Sequence, residues 1–348
     1  MVARKILIRA DSSTQLGYGH VYRCLTLADE LKTKGAQVDF MVQDLPGNIN
    51  AMISQKGYKV YLLKQQAKDF DVKIDLDQTV SLIRDSNVSY DWVIVDHYSL
   101  DERWEKALYT LGIKVFVIDD LAAHNHFCHY LLNQTFNVDK SSYDGKINKE
   151  ASLLMGEKYI LLRPEFSHMK PKVQIKEISS SSTIHIFWGS TDPKGYSYRF
   201  SKILLENFKD LKLKIIGGAK DTKVASLEAL YPNRVSVQSM VQNMAQSMLN
   251  CDLALGAPGM TTWERASMGL PGIYLATNTN QVSILNRLQE QGFCCYLGEA
   301  STIDDETFVH KISSLLYEPA KLKKMAQLGF EKIDALGVQR VTDMMMEA

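Results

Sequence analysis

The sequence lacks both a net charge and a long apolar segment. Its 348 residues include 40 basic and 40 acidic side chains, which gives a formal net charge of zero. A chain without excess positive charge does not have the electrostatic footprint of a general nucleic-acid binder. It also has no uninterrupted run of about 18 apolar residues, which a membrane-spanning helix would need. We therefore expect neither a nucleic-acid partner nor a membrane partner.

Cysteine is also scarce, and its spacing excludes the common redox and disulfide motifs. The chain has five cysteines, an odd number, and no C-x-x-C pair. The start of the chain contains acidic side chains and lacks the apolar core and cleavage site of a signal peptide. These observations predict reduced thiols and a cytoplasmic location.

One segment is rich in metal-ligating residue types. His124, His126, Cys128 and His129 lie close together in the sequence. Their spacing fits neither a C-x₂-C site nor an H-E-x-x-H site, and no matching second pair follows downstream. We therefore predict no metal site in this segment.

Short apolar runs alternate with helical patterns along most of the chain. Such alternation is typical of βαβ units with parallel strands. In the first half, we predict strands near 5–10, 37–42, 58–63, 91–96 and 113–118, and helices near 19–34, 47–56, 75–86 and 100–111. In the second half, we predict strands near 183–188, 212–217, 234–237, 251–255, 271–275 and 293–297, and helices near 195–206, 222–230, 240–249, 260–268, 280–290 and 304–316.

The pattern lapses around residues 167–182, where proline and serine are frequent. We therefore predict an α/β chain of two doubly wound, Rossmann-type domains that face each other across a cleft. The first domain would span 1–166 and the second 183–348, joined by a linker at 167–182. The end of the second domain would form a helical tail, a kind of segment that often packs back on the first domain.

A glycine loop between the first strand and the first helix presents a histidine. Gly17 and Gly19 precede His20, which begins the helical pattern. Loops at this position meet ligands at the carboxyl edge of a parallel sheet. A helix N-terminus disfavours a protonated imidazole, so His20 is a candidate general base. The alternative is that His20 only begins a helix.

A second polar group follows the strand near 91–96 at the same predicted sheet edge. Asp96, His97 and Tyr98 come directly after apolar residues. Tyr98 is a candidate to stack on a sugar or bond to it, and His97 is a second candidate proton carrier. Tyr98 could instead only be packed in the structure.

Two loops in the second half suit a nucleotide. The first contains Gly189, Ser190 and Thr191, small residues that let backbone amides and hydroxyls approach a diphosphate. An ordinary turn between strand and helix is the alternative for this loop.

The second loop runs from Gly256 into a helix. Beyond Gly259, Thr261 and Thr262 offer hydroxyls to phosphate, and Glu264 can accept two hydrogen bonds from a ribose diol. For this loop, the alternative is that Thr262 and Glu264 only favour the start of the helix.

Six motifs follow one another along the chain. R-x-D-x-S-x-x-x-G-x-G-H is formed by Arg9, Asp11, Ser13, Gly17, Gly19 and His20, and D-x-Y by Asp96 and Tyr98. D-D-L-A-x-x-x-H-x-C begins at Asp119, L-L-R-P-E-F spans 161–166, and the Gly189 loop ends in Asp192-Pro193. G-x-x-G-x-T-x-W-E-R begins at Gly256 and is followed by Gly269-Leu270-Pro271 and by Asn280-Gln281. In this order they resemble the PseG family, the UDP-sugar hydrolases of pseudaminic acid biosynthesis, which are related to MurG-like glycosyltransferases of the GT-B fold.

The resemblance implies a GT-B-like fold and a UDP-sugar substrate, UDP-2,4-diacetamido-2,4,6-trideoxy-β-L-altrose. Water would displace UDP with inversion, His20 and Tyr98 would be the catalytic residues, and no cofactor would be needed. The substrate-binding residues would be Asp11, Ser13, Gly17, Gly19, His97, Gly189, Ser190, Thr191, Gly259, Thr261, Thr262, Glu264, Asn280 and Gln281.

One departure from the family pattern concerns the phosphate loop. Trp188 replaces a usual glycine and is expected to narrow the phosphate pocket. The alternatives are a GT-B glycosyltransferase that uses a UDP-sugar donor, a homologue acting on another nucleotide sugar, and a non-catalytic module that binds nucleotide sugars.

Overall fold

The computed structural model describes residues 3–64, 70–86, 88–179, 181–189, 192–217, 222–238 and 241–348. The chain forms two compact units. Residues 1–163 and 336–348 belong to the first unit, and residues 164–335 belong to the second.

The first unit is built on a parallel sheet of seven strands in the order β3-β2-β1-β4-β5-β6-β7. Its strands are rich in Val, Ile, Leu and Phe and largely buried, as expected where helices cover both faces of a parallel sheet. The strands are β1 (Lys5–Ala10), β2 (Gln37–Gln43), β3 (Lys59–Leu63), β4 (Trp92–Asp96), β5 (Lys114–Ile118), β6 (Tyr130–Asn133) and β7 (Ser152–Met155).

The helices of the first unit cover this sheet with apolar stripes. The first of them buries Val21, Cys24, Ala28 and Leu31, which recur at helical spacing. These helices are α1 (Gly19–Thr33), α2 (Asn50–Gln55), α3 (Val72–Asp85) and α4 (Glu102–Thr110). Short 3₁₀ turns occupy Lys140–Tyr143 and Glu157–Tyr159.

The second unit repeats this plan with a parallel sheet of six strands in the order β10-β9-β8-β11-β12-β13. Its strands are β8 (Thr183–Phe187), β9 (Lys212–Ile216), β10 (Val235–Gln238), β11 (Leu253–Gly256), β12 (Gly272–Ala276) and β13 (Cys294–Glu299). Its helices are α5 (Pro164–Met169), α6 (Tyr196–Asn207), α7 (Thr222–Leu230), α8 (Met244–Leu249), α9 (Met260–Ser267), α10 (Val282–Glu290), α11 (Asp305–Leu316) and α12 (Pro319–Lys332), with 3₁₀ turns at Lys170–Lys172 and Thr279–Gln281.

The predicted fold class is confirmed, since both units are α/β layers with purely parallel sheets. In each sheet the strand order reverses beside the first strand, between β1 and β4 and between β8 and β11. Ligands of open α/β sheets bind at such reversals. The sequence analysis missed β6 and β7, although it found β10 and β11, which are equally short.

The division into units differs from the predicted one at residues 164–182, which belong to the second unit rather than to a linker. Glu165 Oε1 accepts a hydrogen bond from the Met244 amide at 2.7 Å, which ties α5 to α8. Lys170 Nζ donates to the carbonyls of Ser267 and Ile333 at 3.2 and 3.0 Å. Burial lowers the pKa of Lys170 to about 8.

The division also differs at the C-terminus. The last helix, α13 (Gly337–Glu347), belongs to the first unit, while α12 stays with the second. It packs on α1 and the Glu157–Tyr159 turn, and buries Val338, Val341 and Met345. The first unit therefore includes a helix that follows the whole of the second unit in the sequence.

Within the described part of the chain, no helix combines the length and apolarity needed to cross a membrane. The five cysteines are all buried free thiols.

Replacing Gly337 with alanine tests how tightly the last helix packs. The added Cβ would lie 2.3 Å from the Ile160 carbonyl oxygen and 2.6 Å from the Tyr159 carbonyl carbon. Because these atoms belong to the backbone, we expect Gly337→Ala to lower the free energy of unfolding by about 1–3 kcal/mol, measured by urea titration. Gly19→Ala is the matched control, since its Cβ would meet nothing within 4 Å. Equal stability of the two variants would contradict this account.

Candidate active site

The first group of site residues lies where β1 and β4 end side by side. Ile8 pairs with Ile94, and Ala10 with Asp96, in the parallel register. The loop after β1 turns back through Ser13 and Gly17, and α1 then begins at Gly19. The side chain on the first turn of α1 is thereby brought to the end of β4.

His20 and Asp96 form a hydrogen-bonded pair at this edge. His20 Nδ1 lies 2.6 Å from Asp96 Oδ1. Asp96 is fully buried, which would raise the pKa of its carboxyl, but Arg23 and His20 outweigh burial and hold that pKa well below its usual range. An ionised Asp96 can only accept a hydrogen bond, so in a neutral His20 ring the hydrogen lies on Nδ1.

The other nitrogen of His20 then carries the lone pair. The His20 side chain is 12% exposed, and no residue in the described ranges bonds to its Nε2. A partly exposed histidine whose Nδ1 is held by a buried carboxylate is equipped to accept a proton from a ligand on its other nitrogen.

Arg23, one turn further along α1, holds the carboxylate of the pair. Its Nε and Nη2 donate to the two oxygens of Asp96 at 2.6 and 2.7 Å, and its Nη1 donates to Asp120 Oδ2 at 2.5 Å. Such a two-point contact fixes the plane of the carboxylate. Arg23 therefore positions the group that positions His20.

Tyr98 lies against the His20 ring. The two ring centroids are 4.6 Å apart at an interplanar angle of 84°, an edge-to-face contact. Tyr98 remains 43% exposed. Burial of its hydroxyl and the nearby Asp120 carboxylate raise its pKa, so the hydroxyl stays protonated at neutral pH and can donate a hydrogen bond to a ligand.

His97, the second candidate proton carrier, is used inside the fold. Its Nδ1 accepts from the Ser99 amide at 3.1 Å, so its ring proton lies on Nε2, which faces Asp11 Oδ2 at 3.3 Å. Its ring stacks on Phe70 with centroids 4.6 Å apart. Both nitrogens are thus occupied.

Asp11, predicted to bind substrate, is only 2% exposed. Arg9 donates to both of its oxygens at 2.6 and 2.8 Å, and the Gln43 amide donates to Oδ1 at 2.8 Å. Although burial alone would raise it, the Arg9 charge and the His97 hydrogen bond hold the pKa of Asp11 far below its usual range. Arg9 also pairs with buried Asp75 at 2.8 Å. The R-x-D motif is therefore a buried ion-pair network.

The hydroxyl of Ser13 is also used locally. It accepts from the Gln15 and Leu16 amides at 3.2 and 2.9 Å and so closes the glycine loop. Gly17 has φ of 79°, a conformation that favours glycine. Gly19 is the first residue of α1, and no acidic residue lies in the first turn of that helix.

The histidine-rich segment forms a buried ion cluster. His126 Nδ1 lies 2.8 Å from Glu105 Oε1, and its Nε2 lies 3.5 Å from Asp119 Oδ2, an ion-pair distance too long for a good hydrogen bond. Burial would lower the pKa of His126, but the two carboxylates raise it to about 9. His124 is exposed, and the His129 ring stacks on Tyr109. Within the described ranges, no group of three or more such residues is arranged to hold a metal ion.

In the second unit, the Gly256 loop leads from β11 into α9. Gly256 and Gly259 have φ of 158° and 146°. A Cβ on Gly256 would lie 1.8 Å from the Phe187 carbonyl oxygen, so only glycine fits where β8 and β11 end together. The Gly259 amide donates to Thr262 Oγ1 at 3.3 Å, which commits that hydroxyl to the start of the helix. Thr261 is half-buried, and Glu264 is buried one turn into α9.

The loop after β8, the predicted phosphate nest, is described only in part. Ser190 and Thr191 lie outside the described residues, and Gly189 has φ of 102°. Asp192 occupies the start of α6, where its carboxylate accepts from the Tyr196 and Ser197 amides at 3.0 and 2.7 Å. Trp188 is 6% exposed and stacks on Phe200, with ring centroids 5.0 Å apart. It therefore packs into the core.

The last predicted pair lies after β12. Gln281 Oε1 accepts from the Thr277 amide at 2.8 Å and holds the turn that precedes α10. Asn280 is exposed on that turn.

The structure thus brings His20 and Tyr98 together in the first unit, and Gly259, Thr261, Thr262 and Glu264 at one helix start in the second. Sequence analysis missed the roles of Asp96, Arg23 and Asp120. One available signal was spacing, because Arg23 follows His20 by one helical turn and faces the same strand end.

Comparison with known proteins gives the following likenesses. The chain is 26% identical over 286 residues to an uncharacterised protein of Methanocaldococcus jannaschii, covering 80% of this chain and 56% of that protein. It is 28% identical over 227 residues to the UDP-2,4-diacetamido-2,4,6-trideoxy-beta-L-altropyranose hydrolase of Campylobacter jejuni, covering 65% of this chain and 73% of that one. It is 20% identical to the spore coat polysaccharide biosynthesis protein SpsG of Bacillus subtilis, covering 98% and 97%. No family model matches the chain.

Among solved structures, MurG of Acinetobacter baumannii matches with a TM-score of 0.70 and 18% identity over 99% of this chain and all of that one. The chain therefore has the GT-B fold. The motifs predicted a resemblance to the PseG-type hydrolases within that class. The sequence match to the Campylobacter enzyme confirms this resemblance.

The raised pKa of His126 leads us to expect that the stability of the first unit depends on pH. Its pKa of about 9 in the fold exceeds the ordinary 6.5, so its contribution is complete below pH 6.5 and is lost as pH rises through 9. We expect the urea midpoint of the wild-type protein to fall across this window more steeply than that of His126→Gln. His124→Gln replaces an exposed histidine nearby and should keep the wild-type slope. Parallel slopes for wild type and His126→Gln would contradict the ion cluster.

Proposed function

We propose that this chain hydrolyses a UDP-activated sugar, cleaving the bond at the anomeric carbon to release the free sugar and UDP with inversion. The observation that carries the proposal is the His20–Asp96 pair, with 2.6 Å between Nδ1 and Oδ1 and a partly exposed His20. A binding module needs no proton acceptor prepared in this way. The likeness to the Campylobacter hydrolase supports the same class of substrate.

In this mechanism the Nε2 lone pair of His20 takes a proton from a water molecule. The water oxygen forms a bond to the anomeric carbon as the bond to the UDP oxygen breaks, and UDP leaves with the electron pair. The transition state has oxocarbenium character, and attack on the face opposite UDP inverts the centre. The imidazolium, stabilised by Asp96, then returns its proton to solvent.

We assign the binding of the nucleotide to the second unit. The Gly256 loop lies at the strand-order reversal of its sheet, where β8 and β11 end side by side. The first amides of α9 can face a diphosphate, and Glu264 is the proposed ribose partner. Because UDP bound in this way is a good leaving group, no acid catalyst is needed.

The proposed substrate has a 2,4-diacetamido-2,4,6-trideoxy sugar, and the proposed setting is nonulosonic (pseudaminic) acid biosynthesis, as the likeness to the Campylobacter enzyme suggests. The exposed Tyr98 ring beside His20 is suited to contact an apolar part of such a sugar.

Incubation of the purified protein with a panel of UDP-sugars, without any acceptor, tests the activity. Stoichiometric UDP and free sugar support hydrolysis, and NMR of the first product gives its anomeric configuration. Release only when an acceptor is added would identify a glycosyltransferase instead. Tight binding with no turnover of any UDP-sugar would identify a binding module.

Removal of the proposed base gives the first test of the mechanism. We expect His20→Ala to lower kcat by about 10²–10⁴ and to leave the Kd for UDP nearly unchanged, because the base acts only in the transition state. His124→Ala removes an exposed histidine from the same unit and should retain wild-type turnover. Near-normal kcat in His20→Ala would refute the assignment of the base.

The orienting carboxylate gives a second test. Asp96→Asn removes the anion that fixes the His20 tautomer, and we expect kcat to fall by about 10²–10⁴ with little change in KM. Asp120→Asn is the matched control, because Asp120 also pairs with Arg23 but does not bond to His20. It should share any loss of stability while keeping most of the activity. Equal losses of kcat in the two variants would contradict a separate role for the bond between Asp96 and His20.

A further inference from the structure

Arg265, on α9, is a fully buried cation that the proposed mechanism does not use. Its side chain is 0% exposed. Nη2 donates to the carbonyls of Phe187 and Leu255 at 3.2 and 3.3 Å, while Nε and Nη1 are buried without a hydrogen-bond acceptor among the described residues. The guanidinium carbon lies 5.2 Å from the centre of the Tyr274 ring.

This cation lies directly behind the Gly256 loop. Phe187 and Leu255 are at the ends of β8 and β11, where the strand order reverses. A Cβ built on Gly256 would come within 3.0 Å of Arg265 Nη2. The guanidinium is thus in contact with the loop that leads into the first turn of α9.

The charge is poorly compensated by the protein. The other fully buried arginine, Arg9, pairs with Asp11 and Asp75, whereas within the described ranges no carboxylate forms an ion pair with Arg265. The positive charge of Arg265 also affects the buried ring of His185, on β8. Burial, together with the charges of Arg265 and Lys214, holds the pKa of His185 well below its usual range. A buried cation without a counter-charge is costly.

We propose that Arg265 provides a fixed positive charge for an anionic group, the diphosphate of a nucleotide, bound at the Gly256 loop. The inference rests on the proposed function of the second unit. A charge held in a low-dielectric interior acts strongly on a nearby anion, and the anion in turn offsets the cost of the buried cation. Arg265 would not touch the anion itself. Its charge would act across the Gly256 loop and the first amides of α9, so we class it as a positioning residue.

The test compares UDP with uridine, which lacks the phosphates, on the full chain. In Arg265→Met we expect UDP affinity to fall by about tenfold or more and uridine affinity to change by less than about threefold. The melting temperature without ligand should be unchanged or higher, because an apolar group replaces an uncompensated charge. The rise in melting temperature that UDP causes should shrink.

Arg234→Met is the matched control in the same unit. Arg234 donates through all three nitrogens to the carbonyls of Leu211, Leu205 and Phe208. Its replacement should lower the melting temperature, since those bonds are lost, while the ratio of UDP to uridine affinity stays at the wild-type value.

If Arg265→Met does not fold, a second variant tests the same proposal. Arg265→Lys exchanges a permanently charged group for an amine whose pKa burial lowers. UDP binding by Arg265→Lys should therefore weaken between about pH 6 and pH 9 by more than UDP binding by the wild type does.

The outcomes separate the two proposals. If UDP fails to bind the wild-type protein, the nucleotide assignment is wrong, and the role of Arg265 falls with it. If UDP binds the wild type and Arg265→Met equally well, or if the variant loses UDP and uridine affinity in the same proportion, only the inference about Arg265 is overturned. A pH profile of Arg265→Lys identical to that of the wild type would overturn it as well.

Discussion

The buried carboxylate of Asp96 is the group on which the candidate site of the first unit depends. It accepts hydrogen bonds from His20 and Arg23, two side chains one turn apart on α1, at 2.6–2.7 Å. β4 delivers the acceptor and α1 delivers both donors, so the geometry exists only when the sheet and the helix are packed. The apolar contacts beneath α1 thereby determine the orientation of a polar ring at its first turn.

Polar groups at the two sheet edges fall into two kinds. Asp11, Ser13, His97, Asp192 and Gln281 use their hydrogen-bonding capacity within the protein and give the loops their shape. The His20 side chain is partly exposed and Tyr98 is 43% exposed. The motifs therefore contain both residues that support a site and residues that would touch a ligand. The sequence does not distinguish these two kinds of residue, whereas their hydrogen bonds in the structure do. A loop held by its own side chains loses less conformational entropy if it binds a ligand than a loop without such contacts does.

The architecture could be predicted from sequence because it depends on local patterns. The apolar runs of β1 and β4 and the helical spacing of Cys24, Ala28 and Leu31 are visible without coordinates. The glycine loop likewise marked His20 as a residue at a helix start. β6 and β7 were missed, although each contains two adjacent leucines.

The partners of the predicted side chains could not be found in the same way. Asp75 pairs with Arg9 and Asp120 with Arg23 across long stretches of sequence. Which of several acidic residues fills that role depends on how α3 and the β5 loop pack, a property of the whole unit. The same reasoning explains Asp11, whose motif position suggested a ligand contact and whose neighbours turned it into an internal counter-ion.

The placement of α13 has a consequence for how the protein is made. Residues 164–335 form a complete unit that is inserted between the main part of the first unit and the helix that closes it. During synthesis the inserted unit leaves the ribosome whole while the earlier one still lacks Val338, Val341 and Met345 from its core. The first unit therefore completes its core after the second has been synthesised, and the apolar surface of α1 that receives α13 stays uncovered until α13 itself has been made.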